Sequence, residues 1–345
     1  MTVLAGNDAD WVLRVDGVSK YFPEPTAREM RMGTGRFLKA VDGVSLEVKR
    51  GETLAVVGES GCGKTTLGRT IVGAYRPSAG AVALRSGGET LSPQTRGRQA
   101  QLRYLRAAQM IFQDPFSSLN PRMTVHDIIA EPLICNGWRD RKKVRARVLE
   151  LLERTGLNPD HATRYPHAFS GGQRQRIVIA RALALSPDVI VADEPVSALD
   201  VSIQAQILNL LQELQHSLGL TYLFISHDLG VVERISDRVA VMYVGRLVEI
   251  GSTDEILQRP KHPYTEALLS AVLRPDPNDK RQRRVAQGEI VDPANRPPGC
   301  PYHPRCRYAQ DICRTTVPEL RPIPGSGNQA ACHFAEQLEL EGVGE

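Results

Sequence analysis

Apolar and polar residues alternate along Trp11 to Val15 and again along Val44 to Val48, the period of a half-buried strand. The turn Lys49-Arg50-Gly51 leads the second of these into Leu54-Ala55-Val56-Val57, an unbroken apolar run that reads as a buried strand. An antiparallel β flap therefore precedes the core. Pro23 to Lys39, between the two alternating stretches, is polar and basic and predicts a surface loop. The helical period takes over from Lys64 to Ala74. Ser86 to Ala108 is polar and rich in Arg, and Gln109 to Phe112 is a short apolar strand ending at Gln113. From Pro115 to Phe169 helical spacing dominates: in Arg139 to Thr155, Val144, Val148, Leu151 and Leu152 share one face, and Gly156 supplies the C-cap. Ser170 is placed to N-cap a helix running to Leu185. Val189 to Ala192 and Leu223 to Ser226 are further buried runs, and Val239 to Val244 with Leu247 to Ile250 form a hairpin around Gly245-Arg246. Ser252 with Glu255 makes a capping box, and Pro263 suits the first turn of a helix reaching Val272. Buried strands alternating with helices predict the α/β class.

Composition adds bounds. At 345 residues, 41% hydrophobic and 24% charged, the chain can bury a large core and carry an appendage. The net charge of +4 is small and spread over several segments, so it gives no argument for a nucleic-acid partner. Arg141, Lys142, Lys143, Arg145 and Arg147 make one helix face strongly basic, for which a solvated surface is the ordinary explanation and an anionic membrane or nucleic-acid surface the rival. Met1 to Val15 has neither a basic start nor an apolar h-region, and nowhere do 18 apolar residues run together. The expectation is a cytoplasmic chain that does not cross a membrane. Of six cysteines, Cys300, Cys306, Cys313 and Cys332 crowd into the C-terminal segment, which in a reducing compartment favours metal over disulfides.

The chemistry begins at Gly58-Glu59-Ser60-Gly61-Cys62-Gly63-Lys64-Thr65-Thr66, which fits G-x-x-x-x-G-K-[ST] between a strand and a helix. Glycines let the backbone wrap phosphates so that N–H groups converge on them, and the helix N-terminus adds partial positive charge. Lys64 would neutralise the β- and γ-phosphates and the Thr65 hydroxyl would ligate magnesium. Downstream, Asp193-Glu194 ends a buried strand at the edge where open α/β sheets bind ligands. There Asp193 would hold magnesium and Glu194 would take the proton of the attacking water. His227 ends the next buried strand, where a γ-phosphate could be sensed. Ser170-Gly171-Gly172-Gln173 puts two glycines in the first turn of a helix, at about 1 kcal/mol each in propensity, which implies a close backbone approach such as a ligand. Tyr21 and Phe22 end the first strand, where an aromatic face could stack on adenine.

With Gly58 to Thr65, Gln113, Ser170 to Gln173, Asp193-Glu194, Ser197-Ala198-Leu199-Asp200 and His227 present in that order, the chain resembles the ATP-binding subunit of an ABC transporter over about residues 11–251. The resemblance implies a P-loop ATPase core with an antiparallel β flap and an inserted helical subdomain at about 114–172. It also implies roles. Gln113 becomes the residue between nucleotide, magnesium and transmembrane partner. Ser170, Gly171, Gly172 and Gln173 become the signature that meets the ATP held by a second ATPase domain packed head to tail. Asp200 becomes a contact across that interface, His227 the switch residue, and Phe22, rather than Tyr21, the adenine-stacking aromatic. Thr65 stands where serine is common and keeps the hydroxyl.

Lys261-His262-Pro263-Tyr264-Thr265, Pro297-Pro298-Gly299-Cys300 and His303-Pro304-Arg305-Cys306 are similar to the C-terminal region of oligopeptide and dipeptide importer ATPases. Cys62-Gly63-Lys64 and Leu67-Gly68-Arg69, with the insertion after Phe22, resemble the second of the two ATPase subunits of that group. The resemblance implies peptide uptake, two transmembrane permease subunits, a similar second ATPase, an extracytoplasmic peptide-binding protein, and a peripheral position on the cytoplasmic face of the inner membrane. It implies a division into an ATP-binding domain, 1–251, and a small cysteine-containing C-terminal domain, 252–345. For the cysteines, four-thiolate zinc competes with a [4Fe-4S] cluster. Zinc usually takes a tight C-x₂₋₄-C pair, absent here, whereas wide spacings suit a cluster; His303 and His333 are substitute zinc ligands. The cluster is expected to brace this domain, remote from ATP chemistry. Related ATPases of DNA repair or translation are the rival class. A repair-type coiled coil has no place in residues 114–169, interrupted by Pro121, Pro132, Pro159 and Pro166, and translation types carry two phosphate loops where one exists here. A regulator that binds ATP without hydrolysing it would lack Glu194 or His227. An importer of another small solute, such as a nickel chelate, remains a further alternative.

Overall fold

The computed structural model describes residues 10–24, 36–271 and 291–343. β1 (Trp11–Glu24) and β2 (Arg36–Lys49) pair antiparallel and lead to β3 (Thr53–Val57). β4 (Ala79–Ser86) and β5 (Glu89–Leu91) join the first two strands in a sheet ordered β2-β1-β4-β5. This is the expected flap. Its strands run further than their alternation predicts, because the ends of the insertion pair with each other: Phe22 lies opposite Leu38 and Pro23 opposite Phe37. The surface loop expected from Pro23 to Lys39 is thus shortened at both ends, and 25–35 lies outside the described residues.

The second sheet adds β6 (Ala108–Ile111), β7 (Val189–Asp193), β8 (Thr221–Ile225), β9 (Arg238–Tyr243), β10 (Arg246–Ser252), β11 (Arg321–Pro322) and β12 (Gln329–Ala330). Its order is β11-β12-β10-β9-β3-β8-β7-β6, with β9, β3, β8, β7 and β6 parallel. Parallel strands end on one edge of the sheet, so the residues after β3, β6, β7 and β8 emerge together. That is what assembles the motifs.

Helices are α1 (Lys64–Ile71), α2 (Arg98–Ala107), α3 (Pro115–Ser118), α4 (Val125–Cys135), α5 (Arg141–Arg154), α6 (Gly171–Leu183), α7 (Val201–Leu218), α8 (Leu229–Ile235), α9 (Thr253–Gln258), α10 (Pro263–Ser270) and α11 (Asp311–Thr315). The buried residues of α5 are Val144, Val148, Leu151 and Leu152, the face its spacing predicts. They join α4, α6 and α7 in one apolar cluster with Ile190, Ala192, Tyr222 and Phe224, while Val189, Val191, Leu223 and Ile225 face α1 and the flap on the other side. Strand alternation thus glues two layers to one sheet. β4, β5 and α2 arise in the polar stretch Ser86 to Ala108 or just before it; α2 buries only Tyr104 and Ala107, too little for its period to show.

The C-terminal segment is built onto the edge of this sheet. β12 pairs with β10, and Cys300, Tyr302 and Cys313 share an apolar cluster with Val57, Val241 and Tyr243 of the core strands. Buried Glu249 of β10 accepts the backbone N–H groups of Lys261 (2.6 Å) and His262 (3.0 Å) and the Asn328 amide (3.1 Å). Burial pushes its carboxyl up to about 7. The expected helix from Pro263 ends at Ser270, and Val272 lies outside the described residues.

Candidate functional site

Gly58 to Thr66 turns from β3 into α1 at the common edge of the parallel strands. Gly63 has φ +104°, and a Cβ there would stand 2.0 Å from the Ala40 carbonyl oxygen, so flap and loop touch only because the side chain is missing. The Gly245 N–H, at the tip of the β9–β10 hairpin, donates to the Cys62 carbonyl at 2.8 Å. Lys64 is 5% exposed, and its Nζ donates to the carbonyls of Gly58 (2.7 Å) and Glu59 (3.0 Å). Ser60 and Gly61 lie exposed at the apex.

The Thr65 hydroxyl donates to Asp193 Oδ1 at 3.0 Å. Asp193 is 2% exposed. Burial pushes its carboxyl up, against the Thr65 hydrogen bond, and adjacent Glu194 adds to the rise. A buried carboxylate, a hydroxyl and a second carboxylate beside it form an all-oxygen donor set that suits magnesium. Glu194 leaves the strand with φ +46°, a left-handed conformation rare outside glycine. It is pinned there by its N–H to the Ile225 carbonyl (2.9 Å) and by the Ser197 hydroxyl on its own carbonyl (3.1 Å). The bend throws its carboxylate between Gln113 and His227. Gln113 Nε2 donates to Oε2 at 2.9 Å, and His227 Nδ1 lies 3.2 Å from Oε1. Both oxygens are oriented, and each keeps a lone pair for a further proton.

Phe22 packs edge-on against Tyr75 at 5.5 Å between centroids, with Lys20 Nζ 5.0 Å from its ring. Tyr21 faces the other way and gives its hydroxyl to Asp42 at 2.5 Å. Asp42 also receives Arg246 (2.7 Å) and Arg296 (2.6 Å), a junction of flap, hairpin and C-terminal segment that no motif announces.

Ser170 N-caps α6 in a capping box: Gln173 N–H reaches the Ser170 hydroxyl (3.4 Å) and the Gln173 side chain accepts the Ser170 N–H (3.1 Å). These bonds stay within the cap. Within the chain one of the two glycines is closely approached: a Cβ on Gly172 would stand 2.6 Å from Ile203 Cγ2 of α7, whereas one on Gly171 would make ordinary contact with Leu199 Cδ2 at 3.5 Å. Packing inside the chain is thus one reason for glycine at position 172. Asp200 caps α7 without a side-chain bond and is exposed.

Cys300, Cys306, Cys313 and Cys332 line one pocket with His262, Tyr302, His303 and His333, and no two sulfurs are bonded. Burial pushes the thiol of Cys306 up to about 12 and that of Cys332 up to about 11, with the neighbouring thiols adding to the rise; Cys300 is raised in the same way. His303 Nδ1 pairs with the Cys300 carbonyl (2.9 Å) and His333 Nε2 with the Thr316 carbonyl (3.0 Å). Among the described residues no group of three or more His, Cys, Asp or Glu side chains is arranged to hold a metal ion. The expectation that this segment stands remote from ATP chemistry is corrected: Arg305, next to Cys306, forms an ion pair with Glu59 of the phosphate loop at 2.8 Å.

The family model for ABC transporters matches residues 41–197, and that for the oligopeptide/dipeptide transporter C-terminal region matches 248–313. The chain is 49% identical over 326 residues to the oligopeptide transport ATP-binding protein AppF of Bacillus subtilis, covering 94% of this chain and 97% of the relative. It is 47% identical to the dipeptide transport ATP-binding protein DppF of Escherichia coli, covering 95% and 96%. Among solved structures, the ATP-binding cassette MJ0796, captured as a dimer in a post-hydrolysis state with ADP and Pi, matches with a TM-score of 0.59 at 27% identity, over 70% of this chain and 98% of that one. CbiO1 of Clostridium perfringens matches with a TM-score of 0.59 at 29% identity, over 72% and 90%. Strand order, clustered motifs and these likenesses agree: the chain belongs to the ABC transporter ATP-binding proteins, in the group that carries the oligopeptide/dipeptide transporter C-terminal region.

Proposed function

We propose that this chain is the ATP-hydrolysing subunit of a membrane importer of oligopeptides or dipeptides. The observation that carries the reading is the convergence of Gln113 and His227 on the two oxygens of Glu194, next to the Thr65–Asp193 pair. Gly58 to Thr66 would cradle the phosphates, with Lys64 leaving its loop carbonyls to meet them, and Phe22 would stack on adenine. Magnesium held by Thr65, Asp193 and Gln113 would neutralise charge on the phosphates. Glu194 takes the proton of the attacking water, held in aim by the Gln113 amide and the His227 ring. No helix among the described residues is long and apolar enough to cross a membrane, so permease subunits must form the path. The groove beside Gln113, lined by Leu105, Phe112, Asp114 and Pro132, offers them a face next to the catalytic carboxylate.

The finer parts of the proposal follow the likeness to peptide-transport relatives. Residues 1–251 act as the ATP-binding unit and 252–345 as the C-terminal unit. The chain works on the cytoplasmic face of the inner membrane, pairs with a similar ATPase rather than a copy, and serves an extracytoplasmic peptide-binding protein. Nucleic acid has no part. Ser170, Gly171, Gly172, Gln173 and Asp200 meet the opposite ATPase, with Ser170 and Asp200 exposed at their helix starts, and ATP shifts the pair toward closure because it binds the closed form more tightly. A [4Fe-4S] cluster on Cys300, Cys306, Cys313 and Cys332 is the reading that their wide spacings in the sequence and their shared pocket support. Purified with its permease partners, the Glu194→Gln chain should bind ATP normally and lose turnover by about 10²–10⁴-fold, whereas Lys64→Ala should lose nucleotide binding. Wild-type hydrolysis by Glu194→Gln would refute the role of the carboxylate.

A further inference from the structure

We propose that Arg305 and Tyr264, which lie outside every nucleotide-binding motif, are positioning residues for the phosphate loop and so set its affinity for ATP. The inference rests on the reading of Gly58 to Thr65 as the site of the ATP phosphates. Arg305 grips the Glu59 carboxylate with both ends of its fork, Nη1 to Oε2 at 2.8 Å and Nη2 to Oε1 at 2.9 Å. Its side chain is only 6% exposed and that of Glu59 26%, so the pair is shielded from solvent. A two-point guanidinium contact fixes direction as well as distance. The backbone of the same residue is held separately: the Glu59 N–H donates to the buried Tyr264 hydroxyl at 2.8 Å. The Glu59 carbonyl, in turn, receives Lys64 Nζ.

Three side chains thus meet on one loop residue, and two of them, Arg305 and Tyr264, come from the C-terminal segment. Both of these side chains are rigidly held. Tyr264 sits in the first turn of α10 with its ring 4.5 Å from that of Tyr243, and Arg305 Nη1 reaches the Tyr243 hydroxyl at 3.5 Å. Charge points the same way. Glu59 places a carboxylate in a loop whose ligand would be a polyanion, and an unpaired negative charge there would repel the phosphates. Arg305 cancels that charge with a group that does not deprotonate at physiological pH.

The test measures the Kd for a non-hydrolysable ATP analogue and the KM and kcat for ATP, using the chain assembled with its permease partners. Arg305→Ala should raise Kd and KM about tenfold with kcat at saturating ATP changed less than about twofold. Arg305→Lys restores charge without the fork and should recover part of the loss. Adding Glu59→Gln to Arg305→Ala should also recover part, since it removes the stranded charge. Tyr264→Phe deletes one hydroxyl and should raise Kd on its own, which keeps the test decisive if Arg305→Ala fails to fold. Wild-type Kd in folded Arg305→Ala and Tyr264→Phe chains would overturn the inference, as would a fall in kcat with Kd unchanged. A Lys64→Ala control separates the two readings: loss of nucleotide binding there, with wild-type Kd in the Arg305 variant, refutes the positioning role alone. Retained binding in Lys64→Ala refutes the ATP site itself.

Discussion

The Asp42 carboxylate accepts the Tyr21 hydroxyl of β1, Arg246 of the β9–β10 hairpin and Arg296 of the C-terminal segment. Burial alone would raise its pKa, but the hydroxyl and the two guanidinium groups outweigh burial and hold it at about 2, below the ordinary 3.8. A carboxylate depressed on folding stabilises the chain above its unfolded pKa and loses that stabilisation as pH falls through the folded one. The contribution should be present at neutral pH, on the order of 2 kcal/mol, and vanish between about pH 4 and pH 2. Denaturant titrations at neutral pH should therefore show Asp42→Asn destabilised, with the gap to wild type closing across that acid window. A gap independent of pH would show that Asp42 acts through packing. None of this was legible, because the partners stand 21, 204 and 254 residues from Asp42 in the chain. Lys64, Thr65, Gln113, Asp193, Glu194 and His227 were legible as a set because each stands at or just beyond the end of a buried strand or at the head of the helix that follows one, and parallel strands share an edge. Tyr264 and Arg305 stand 205 and 246 residues from Glu59, and no local pattern encodes that meeting.

Between elements, α6 and α7 meet through two glycines that behave differently. A Cβ on Gly172 would press into the Cγ2 methyl of Ile203, which is fixed to the branched Cβ and cannot swing aside without an unfavourable rotamer, whereas one on Gly171 makes ordinary contact with Leu199. Gly172→Ala should therefore destabilise the chain by about 1–3 kcal/mol, as overpacking does, while Gly171→Ala should be neutral or slightly stabilising through helix propensity. Equilibrium unfolding of the two variants decides it, and equal effects would dismiss the packing argument. The sequence did mark this helix start, since two glycines in a first turn cost propensity for some reason. It could not name the neighbour, because Ile203 approaches from another helix. The faces of α5 and the strand runs were readable for the opposite cause: their periods are set by their own burial.

At the scale of the molecule, the α/β class and the flap followed from alternation and apolar runs. The docking of the C-terminal segment on β10 did not, since β11 and β12 are two residues each, too short for a period. That docking changes what the cysteines imply. Their pocket is lined by Tyr302, whose ring lies 5.3 Å from Tyr243 and 5.4 Å from Tyr264, and Cys306 follows Arg305 in the chain. A group bound there would brace the two side chains that grip Glu59. Without metal, thiols raised as far as about 12 and about 11 stay protonated at pH 7, so loading must release protons and reverse the effect of burial. Anaerobically purified chain should be brown and contain iron and sulfide in equal amounts, with fewer thiols open to alkylation than after removal of the metal. Cys306→Ser should lose the colour and, through the slackened Arg305, weaken nucleotide binding together with the stability of the segment. Colourless anaerobic protein holding one zinc per chain would overturn the cluster; wild-type nucleotide affinity in a colourless Cys306→Ser chain would show that the pocket braces only its own segment.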